Sequence, residues 1–148
     1  IGVRTYNKNK VRLLAVHQTN PVGRHCLGEF YEADAAILNS ESDIRIALEE
    51  AANRANAKLL NIVSHSFEPQ GITAFALLAE SHISIHTWPE LGYATVDAFT
   101  CGTRTDPERA IDCLKEALGA KRAQLRTFNR DYVNLPQLHL APFQGVPA

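Results

Sequence analysis

The chain has 148 residues, of which 45% are hydrophobic and 21% are charged. A chain of this length and composition is expected to form one globular domain that buries roughly two-thirds of its unfolded surface. Its 15 basic and 16 acidic side chains leave a net charge of −1, so no broad electrostatic field favours nucleic acid or an anionic membrane as a partner. No apolar run approaches the ~20 residues that a membrane-spanning helix needs.

The cysteines form an odd, widely spaced set, Cys26, Cys101 and Cys113, with no C-x-x-C pair. This pattern argues against a disulfide framework or a zinc ribbon and favours a reducing cytoplasm. The first residues, from Ile1, lack the apolar block of a secretory signal, so no export signal is predicted.

Residues 1–21 are mostly polar, with one apolar patch at Val11–Val16, and are predicted to form an N-terminal arm. A domain over residues 22–128 follows. Its predicted elements, in chain order, are a strand Gly23–Tyr31, a helix over about 41–57, strands Lys58–Ser66, Ile72–Ala79, His82–Thr87 and Tyr93–Thr100, a helix that begins at Asp106-Pro107 and ends at Gly119, and a strand Ala123–Phe128. Residues 129–148 contain three prolines and little periodicity, so an irregular C-terminal tail is predicted.

The order β-α-β-β-β-β-α-β predicts an α/β fold, a two-layer α/β sandwich with a largely antiparallel sheet and helices on one face. In the strand His82–Thr87, Ile83 and Ile85 alternate with His82, Ser84 and His86. The next strand likewise alternates small apolar residues with aromatic, hydroxyl, acidic and thiol side chains. Because such a mixed face suits neither solvent nor a core, we expect a site at a sheet-to-sheet dimer interface.

Three interpretations of the polar residues in Leu78–Gly102 rest on the residues alone. His82 and His86 share a strand face but lie about 13 Å apart at strand rise, too far to bind one zinc ion. A Cys-His hydrolase that uses Cys101 is disfavoured because no oxyanion-donor motif accompanies it. The third interpretation, a hairpin with structural histidines, remains open at this point.

Two segments carry a resemblance to a known family. Ala79-Glu-Ser-His-Ile-Ser-Ile-His-Thr-Trp-Pro-Glu90, followed by Val96-Asp-Ala-Phe-Thr-Cys-Gly102, closely resembles the prokaryotic S-adenosylmethionine decarboxylases. These are pyruvoyl enzymes made as self-cleaving proenzymes. Phe67–Thr73 and Gly23–His25 are also similar to that family, and the resemblance runs from about residue 23 to residue 122.

The resemblance implies a processing reaction between residues 80 and 81. Ser81 would attack the Glu80 carbonyl in an N-to-O acyl shift, and elimination would then cut the chain and leave a pyruvoyl group in place of the serine. The family's proton-abstracting histidine falls on His86. An assisting hydroxyl, usually a serine in the family, is Thr73 here.

The resemblance also implies the decarboxylation chemistry and the partners. The substrate amine would form a Schiff base with the pyruvoyl carbonyl, an electron sink that needs neither a metal nor pyridoxal phosphate. Cys101 would reprotonate the substrate carbon, Phe67 would stack on adenine, and Glu90 would accept hydrogen bonds from the ribose. The product would be decarboxylated S-adenosylmethionine, the aminopropyl donor for spermidine.

The spacing of Ser81 and His86 adds an inference about assembly. Five residues apart on one strand, they are separated by roughly 16 Å, whereas a general base must come within about 3 Å of its proton. We therefore expect a homodimer with a shared site. One protomer would supply Ser81 and Cys101, and the other Phe67, Thr73, His86 and Glu90.

Two alternatives of function stay in view. Related proteins of this fold decarboxylate arginine or ornithine, and Glu68 would suit a basic side chain. Phe67 and Glu90 favour the nucleoside substrate, because a free amino acid offers neither adenine nor ribose. The second alternative is a dimeric α/β domain that never matures and has no activity.

Overall fold

The computed structural model describes residues 22–131. The predicted N-terminal arm and residues 132–148 of the predicted tail lie outside this range. The elements of the described part, in chain order, are β1 Gly23–Tyr31, α1 Ala35–Leu38, α2 Glu41–Arg54, β2 Leu59–Ser66, β3 Ile72–Leu78, β4 Ser81–Trp88, a 3₁₀ turn Pro89–Leu91, β5 Tyr93–Cys101, α3 Pro107–Ala117 and β6 Arg122–Arg130.

The strands form one six-stranded sheet in the order β2-β3-β4-β5-β1-β6. All five neighbouring pairs are antiparallel. Helices α2 and α3 pack against each other and against one face of the sheet. The predicted two-layer α/β sandwich with helices on one face is therefore confirmed. Strand β4 lies inside the sheet between β3 and β5, so both of its edges are hydrogen-bonded.

Alternation along the central strands decides which side chains enter the core. Ile83 and Ile85 of β4 are almost fully buried, as are Ala94, Val96 and Ala98 of β5. The small residues of β5 allow the helices to approach the sheet closely. The helical spacing predicted for the first helix also holds, since Ile44, Ala47, Leu48, Ala51 and Ala52 of α2 are all buried.

The face of the sheet that the helices leave uncovered is called the open face below. Its central part is half-buried and mixes aromatic rings with polar groups. Its members there are His25, Thr73, Phe75, His82, Ser84, His86, Trp88, Tyr93, Thr95, Asp97 and Phe99. Towards the two edges the open face bears exposed apolar side chains, namely Val63, Leu77 and Phe128.

Two elements differ from the prediction. Helix α1 was not predicted, although Asp34 caps it by accepting from the backbone nitrogens of Ala36 and Ile37, because a single turn is too short for apolar periodicity to register. Strand β6 continues to Arg130, two residues into the predicted tail, because Asn129 and Arg130 still pair with β1. Every residue of β6 is exposed, so its sequence shows no burial pattern.

Candidate active site

Ser81 is the first residue of β4 and follows the tight turn between β3 and β4. Its backbone φ is 147°, a conformation that a residue with a side chain rarely adopts. Such outliers persist only where the surrounding structure enforces them, and they concentrate at functional sites. Here the outlier lies next to the Glu80–Ser81 peptide bond, which is the bond that the sequence predicts to break.

The unusual φ changes the relation between the Ser81 side chain and the preceding carbonyl group. About the N–Cα bond of an L-residue, Cβ lies about 120° from the carbonyl carbon, so at the φ of 147° the Ser81 Cβ comes within about 30° of eclipsing the Glu80 carbonyl carbon. At an ordinary strand φ of about −120° it would stand about 120° away. The observed torsion therefore suits closure of a five-membered ring through Oγ, Cβ, Cα, N and the Glu80 carbonyl carbon.

Glu80 is held on both its main chain and its side chain. The backbone nitrogen of Cys101 donates to the Glu80 carbonyl oxygen at 2.9 Å. The carboxylate Oε2 of Glu80 accepts from the backbone nitrogen of Lys58 at 2.9 Å. The carbonyl that Ser81 would attack is thus fixed in place and polarised by an N–H donor, the arrangement of an oxyanion hole.

Cys101 ends β5 beside this turn. Ser81 pairs with Thr100 across the β4–β5 hairpin, so Cys101 returns to the Ser81 end of the sheet, as the sequence predicted. Cys101 and Glu80 also line an open cleft of about 410 Å³, together with Asn56 and the segment from Gly102 to Thr105. Space for a small molecule is therefore available next to the thiol.

His82 is a member of this group that the sequence analysis did not assign to the site. Its Nδ1 lies 3.1 Å from Ser81 Oγ. The imidazole stacks on Phe75, with ring centroids 5.2 Å apart and an interplanar angle of 19°, and meets the edge of Phe99 at 6.1 Å. No signal in the sequence would have found it, because the side chains of successive strand residues are expected on opposite faces of the sheet.

The surroundings of His82 affect its protonation. Burial lowers the pKa of His82 below its ordinary value of 6.5, nearby His25 lowers it further, and Asp97 opposes the shift. His25 Nε2 lies 3.5 Å from Asp97 Oδ1, and the guanidinium of Arg130 sits 5.4 Å from the centroid of Phe99. The His82 imidazole is therefore biased towards its neutral, proton-accepting form.

The other end of β4 holds a second group. The hydroxyl of Thr73 is hydrogen-bonded to His86 Nδ1, since the two residues are directly opposite in the β3–β4 pair. The ring of Phe67 is 43% exposed, and its centroid lies 5.7 Å from that of His86. The ring centroids of Trp88 and His86 are 4.1 Å apart. The structure thus brings together Phe67, Thr73 and His86.

Glu90 belongs to this second group through a loop contact. It lies on the 3₁₀ turn after β4, and its carboxylate Oε2 accepts from Gln70 Nε2 at 3.1 Å. Gln70 lies in the β2–β3 loop that also carries Phe67. The exposed Glu90 carboxylate and the Phe67 ring therefore belong to neighbouring loops at one end of the sheet.

Within one chain the predicted site residues, together with His82, fall into two separate sets. The first set, the cleavage end, comprises Glu80, Ser81, His82 and Cys101. The second set, the histidine end, comprises Phe67, Thr73, His86 and Glu90. Because Ser81 and His86 are both on β4, five residues of strand, roughly 16 Å, separate them. A single chain does not bring His86 to Ser81.

Residues 22–131 contain neither a metal-binding cluster nor a membrane-spanning helix. No group of three or more His, Cys, Asp or Glu side chains in this range is arranged to hold a metal ion. None of the helices described here has the length and apolar character needed to cross a membrane.

Comparisons with known proteins give one consistent family. The model of the S-adenosylmethionine decarboxylase family matches residues 24–131. The S-adenosylmethionine decarboxylase proenzyme of Prochlorococcus marinus is 56% identical over 110 residues, which cover 74% of this chain and 88% of that protein. That of Parasynechococcus marenigrum is 57% identical over 110 residues, with 74% and 86% covered. The crystal structure of the adenosylmethionine decarboxylase from Aquifex aeolicus matches with a TM-score of 0.71 and 41% identity, covering 77% of this chain and 94% of that one.

Proposed function

This chain belongs to the S-adenosylmethionine decarboxylase family, and from that premise we propose that it cleaves itself between Glu80 and Ser81 to become a pyruvoyl-dependent decarboxylase. Its reaction removes carbon dioxide from S-adenosylmethionine and leaves the aminopropyl donor used in spermidine biosynthesis. The relatives are named as S-adenosylmethionine decarboxylase proenzymes. The comparisons therefore do not favour the two alternatives, which are decarboxylation of arginine or ornithine and a domain without activity.

The observation that carries this proposal is the conformation of the Glu80–Ser81 junction. Ser81 has its Cβ turned towards the Glu80 carbonyl carbon by a φ of 147°, and the Cys101 backbone N–H already donates to the Glu80 oxygen. A structural turn needs neither feature. Together they prepare an intramolecular attack, in which orientation alone lowers the barrier substantially.

The processing steps follow from these positions. Ser81 Oγ forms a bond to the Glu80 carbonyl carbon while the Cys101 N–H supports the developing oxyanion, and breaking the C–N bond converts the amide into an ester. Removal of the Ser81 Cα proton then expels the Glu80 carboxylate. Water completes the reaction, ammonia leaves, and residues 1–80 separate from a pyruvoyl-initiated fragment that begins at position 81.

The residues around Ser81 fit a pyruvoyl group, because the Ser81 side chain that precedes it is half-buried and its hydroxyl lies against His82 Nδ1. When formed, the pyruvoyl carbonyl supplies an electron sink for decarboxylation. Cys101, which lines the adjoining cleft, delivers from its thiol the proton that replaces carbon dioxide on the substrate carbon.

Two residues of the histidine end recognise the nucleoside part of the substrate. The exposed ring of Phe67 offers an aromatic face for adenine, with its orientation supported by edge contact with His65 at 4.7 Å. Glu90 offers a carboxylate on a turn that begins with a buried proline, Pro89. Gln70 donates to that carboxylate and leaves its remaining lone pairs free for the ribose hydroxyls.

A homodimer unites the two ends. The open face carries aromatic rings at its centre and exposed apolar side chains at Val63, Leu77 and Phe128, a surface that a second copy would cover. In a symmetric pair the cleavage end of each protomer meets the histidine end of the other, so the dimer contains two equivalent sites. The partner's His86 would then reach Ser81 to remove its Cα proton, with Thr73 orienting the ring.

All three cysteines are unpaired, which supports a cytoplasmic location.

The proposed function is tested on purified wild-type chain. A denaturing gel and intact mass spectrometry follow cleavage, and carbon dioxide release from labelled S-adenosylmethionine and from arginine follows turnover. We expect cleavage between residues 80 and 81, and release of carbon dioxide from S-adenosylmethionine but not from arginine. An uncut chain, or release from arginine in preference, would contradict the proposal.

A further inference from the structure

His82, rather than His86, is the histidine that touches the reacting serine within one chain. The 3.1 Å between His82 Nδ1 and Ser81 Oγ is a hydrogen-bond distance. His86 lies five residues further along the same strand. Processing has two steps that each need a base, one to deprotonate Ser81 Oγ and one to remove the Ser81 Cα proton. The position of His82 suits the first of them.

Adjacency in sequence does not explain this contact. In a regular strand, successive side chains point to opposite faces of the sheet, so the side chains of residues 81 and 82 would diverge. His82 lies on the open face, as its stacking on Phe75 and Phe99 shows. Ser81 reaches it because of its own φ of 147°. The same torsion therefore turns Ser81 towards both the carbonyl to be attacked and a proton acceptor.

We propose that His82 is the general base of the first processing step and takes the proton of Ser81 Oγ as that oxygen attacks Glu80, an inference that rests on the proposed self-processing function. Nδ1 accepts the proton, the Oγ lone pair forms the new C–O bond, and the carbonyl electron pair moves onto the Glu80 oxygen. When the C–N bond breaks, His82 returns the proton to the Ser81 nitrogen. The acyl shift is thus an isomerisation with no net gain or loss of a proton.

The packing of His82 suits this role. Phe75 and Phe99 hold the ring on two sides and keep Nδ1 directed at Ser81. The titratable groups that face it are His25 from β1 and Asp97 from β5, while β3 contributes the uncharged Phe75. Burial and His25 keep the pKa of His82 below 6.5, so the ring is neutral at pH 7 and able to accept a proton. Processing should slow as pH falls through that lowered pKa.

The test compares His82→Gln with His86→Gln during processing, because the two histidines are assigned to different steps. Loss of a general base slows a step by about a hundredfold or more. His82→Gln should accumulate the uncut amide, which hydroxylamine leaves intact. His86→Gln should accumulate the ester, which hydroxylamine cleaves. Glu49→Gln changes an exposed side chain of α2, in the helical layer away from the open face, and should process at the wild-type rate.

Chemical rescue distinguishes a general base at position 82 from a residue that only supports the structure. His82→Ala opens a space between Phe75 and Phe99, and its processing should recover in added imidazole but not in pyrazole, a ring of the same size and far weaker basicity. Thermal melts of all variants establish that the fold persists.

Three outcomes would overturn the role of His82. They are wild-type processing by His82→Gln, a hydroxylamine-sensitive ester in that variant, and a failure of imidazole to restore His82→Ala beyond the effect of pyrazole. Wild-type chain that stays uncut would instead contradict the proposed function itself.

Discussion

Cys101 contacts Glu80 through its backbone nitrogen, which donates at 2.9 Å to the carbonyl oxygen of the bond to be cut, and this contact does not involve its thiol. In the proposed function this one position serves two separate steps, its main chain supporting processing and its side chain the decarboxylation that follows. The hairpin register, in which Ser81 opposes Thr100, places Cys101 next to the bond to be cut.

Separation of these two roles is testable with Cys101→Ala. The variant keeps the backbone N–H, so we expect cleavage within about twofold of wild type, while carbon dioxide release should fall about a hundredfold or more with loss of the proton donor. Gel analysis measures the first and labelled substrate the second. Cys113→Ala, the same substitution on α3 and outside the lining of the cleft, is the control and should change neither. A Cys101→Ala chain that remains uncut would contradict the division.

The backbone conformation of Ser81 leads to a prediction about stability. Ser81→Ala and Ser81→Gly both lack the nucleophile and should stay uncut. Glycine pays no penalty for its Cβ at a φ of 147°, so the glycine variant should unfold in urea with a free energy about 1 kcal/mol higher than the alanine variant.

The same pair of substitutions at Ser84 provides the matched control. Ser84 lies at a regular position of β4, where glycine is expected to be the less stable choice by about 0.5–1 kcal/mol. If the alanine variant is more stable than the glycine variant at position 81 as well as at position 84, the backbone of Ser81 is not strained.

Most of the fold follows from alternation and spacing in the sequence. Gly23–Tyr31 is a strand with the predicted bounds, and the other predicted strands and helices lie within three residues of their predicted limits at either end. The central strands alternate strongly because helices cover one face, and buried Ile83 next to half-buried His82 is the clearest case. The pattern fails where burial is absent, as in β6, or where an element is one turn long, as in α1.

The site is predictable only in part. Motif and spacing select Ser81, His86 and Cys101, and the five-residue interval already indicates that Ser81 and His86 do not meet in one chain. The contact between Ser81 and His82 is not predictable from the sequence, because strand alternation argues against it. It depends on a single φ angle, which the tight turn and the hydrogen bonds to Glu80 impose.

The proposed stacking of adenine on Phe67 predicts that its removal weakens substrate affinity selectively. Aromatic stacking on a base contributes about 1–3 kcal/mol, so Phe67→Ala should raise KM for S-adenosylmethionine about tenfold while processing proceeds normally. Leu91→Ala is the control, since Leu91 is 68% exposed and should leave KM unchanged. An unchanged KM in Phe67→Ala, measured by initial rates, would exclude the stacking role.

Sharing of the site between protomers predicts complementation. Ser81→Ala lacks the nucleophile and His86→Ala lacks the elimination base, so neither homodimer should process. In a mixed dimer, the intact Ser81 of the His86→Ala chain meets an intact His86 from the partner. Coexpression of differently tagged chains should therefore restore cleavage of the His86→Ala chain alone, as seen on a denaturing gel.

As a control for sharing, the two preformed homodimers are mixed under conditions that prevent subunit exchange. This mixture should show no restored cleavage. Recovery of the Ser81→Ala chain, or of neither chain in purified mixed dimers, would contradict a shared site.

Intact mass spectrometry of freshly folded chain over time measures self-cleavage and pyruvoyl formation together. We expect the full-length species to convert into residues 1–80 and a fragment from position 81 that is lighter, by the mass of one ammonia, than the same fragment beginning with serine. A folded chain that remains in one piece, or a second fragment that retains an N-terminal serine, would contradict the proposed self-processing.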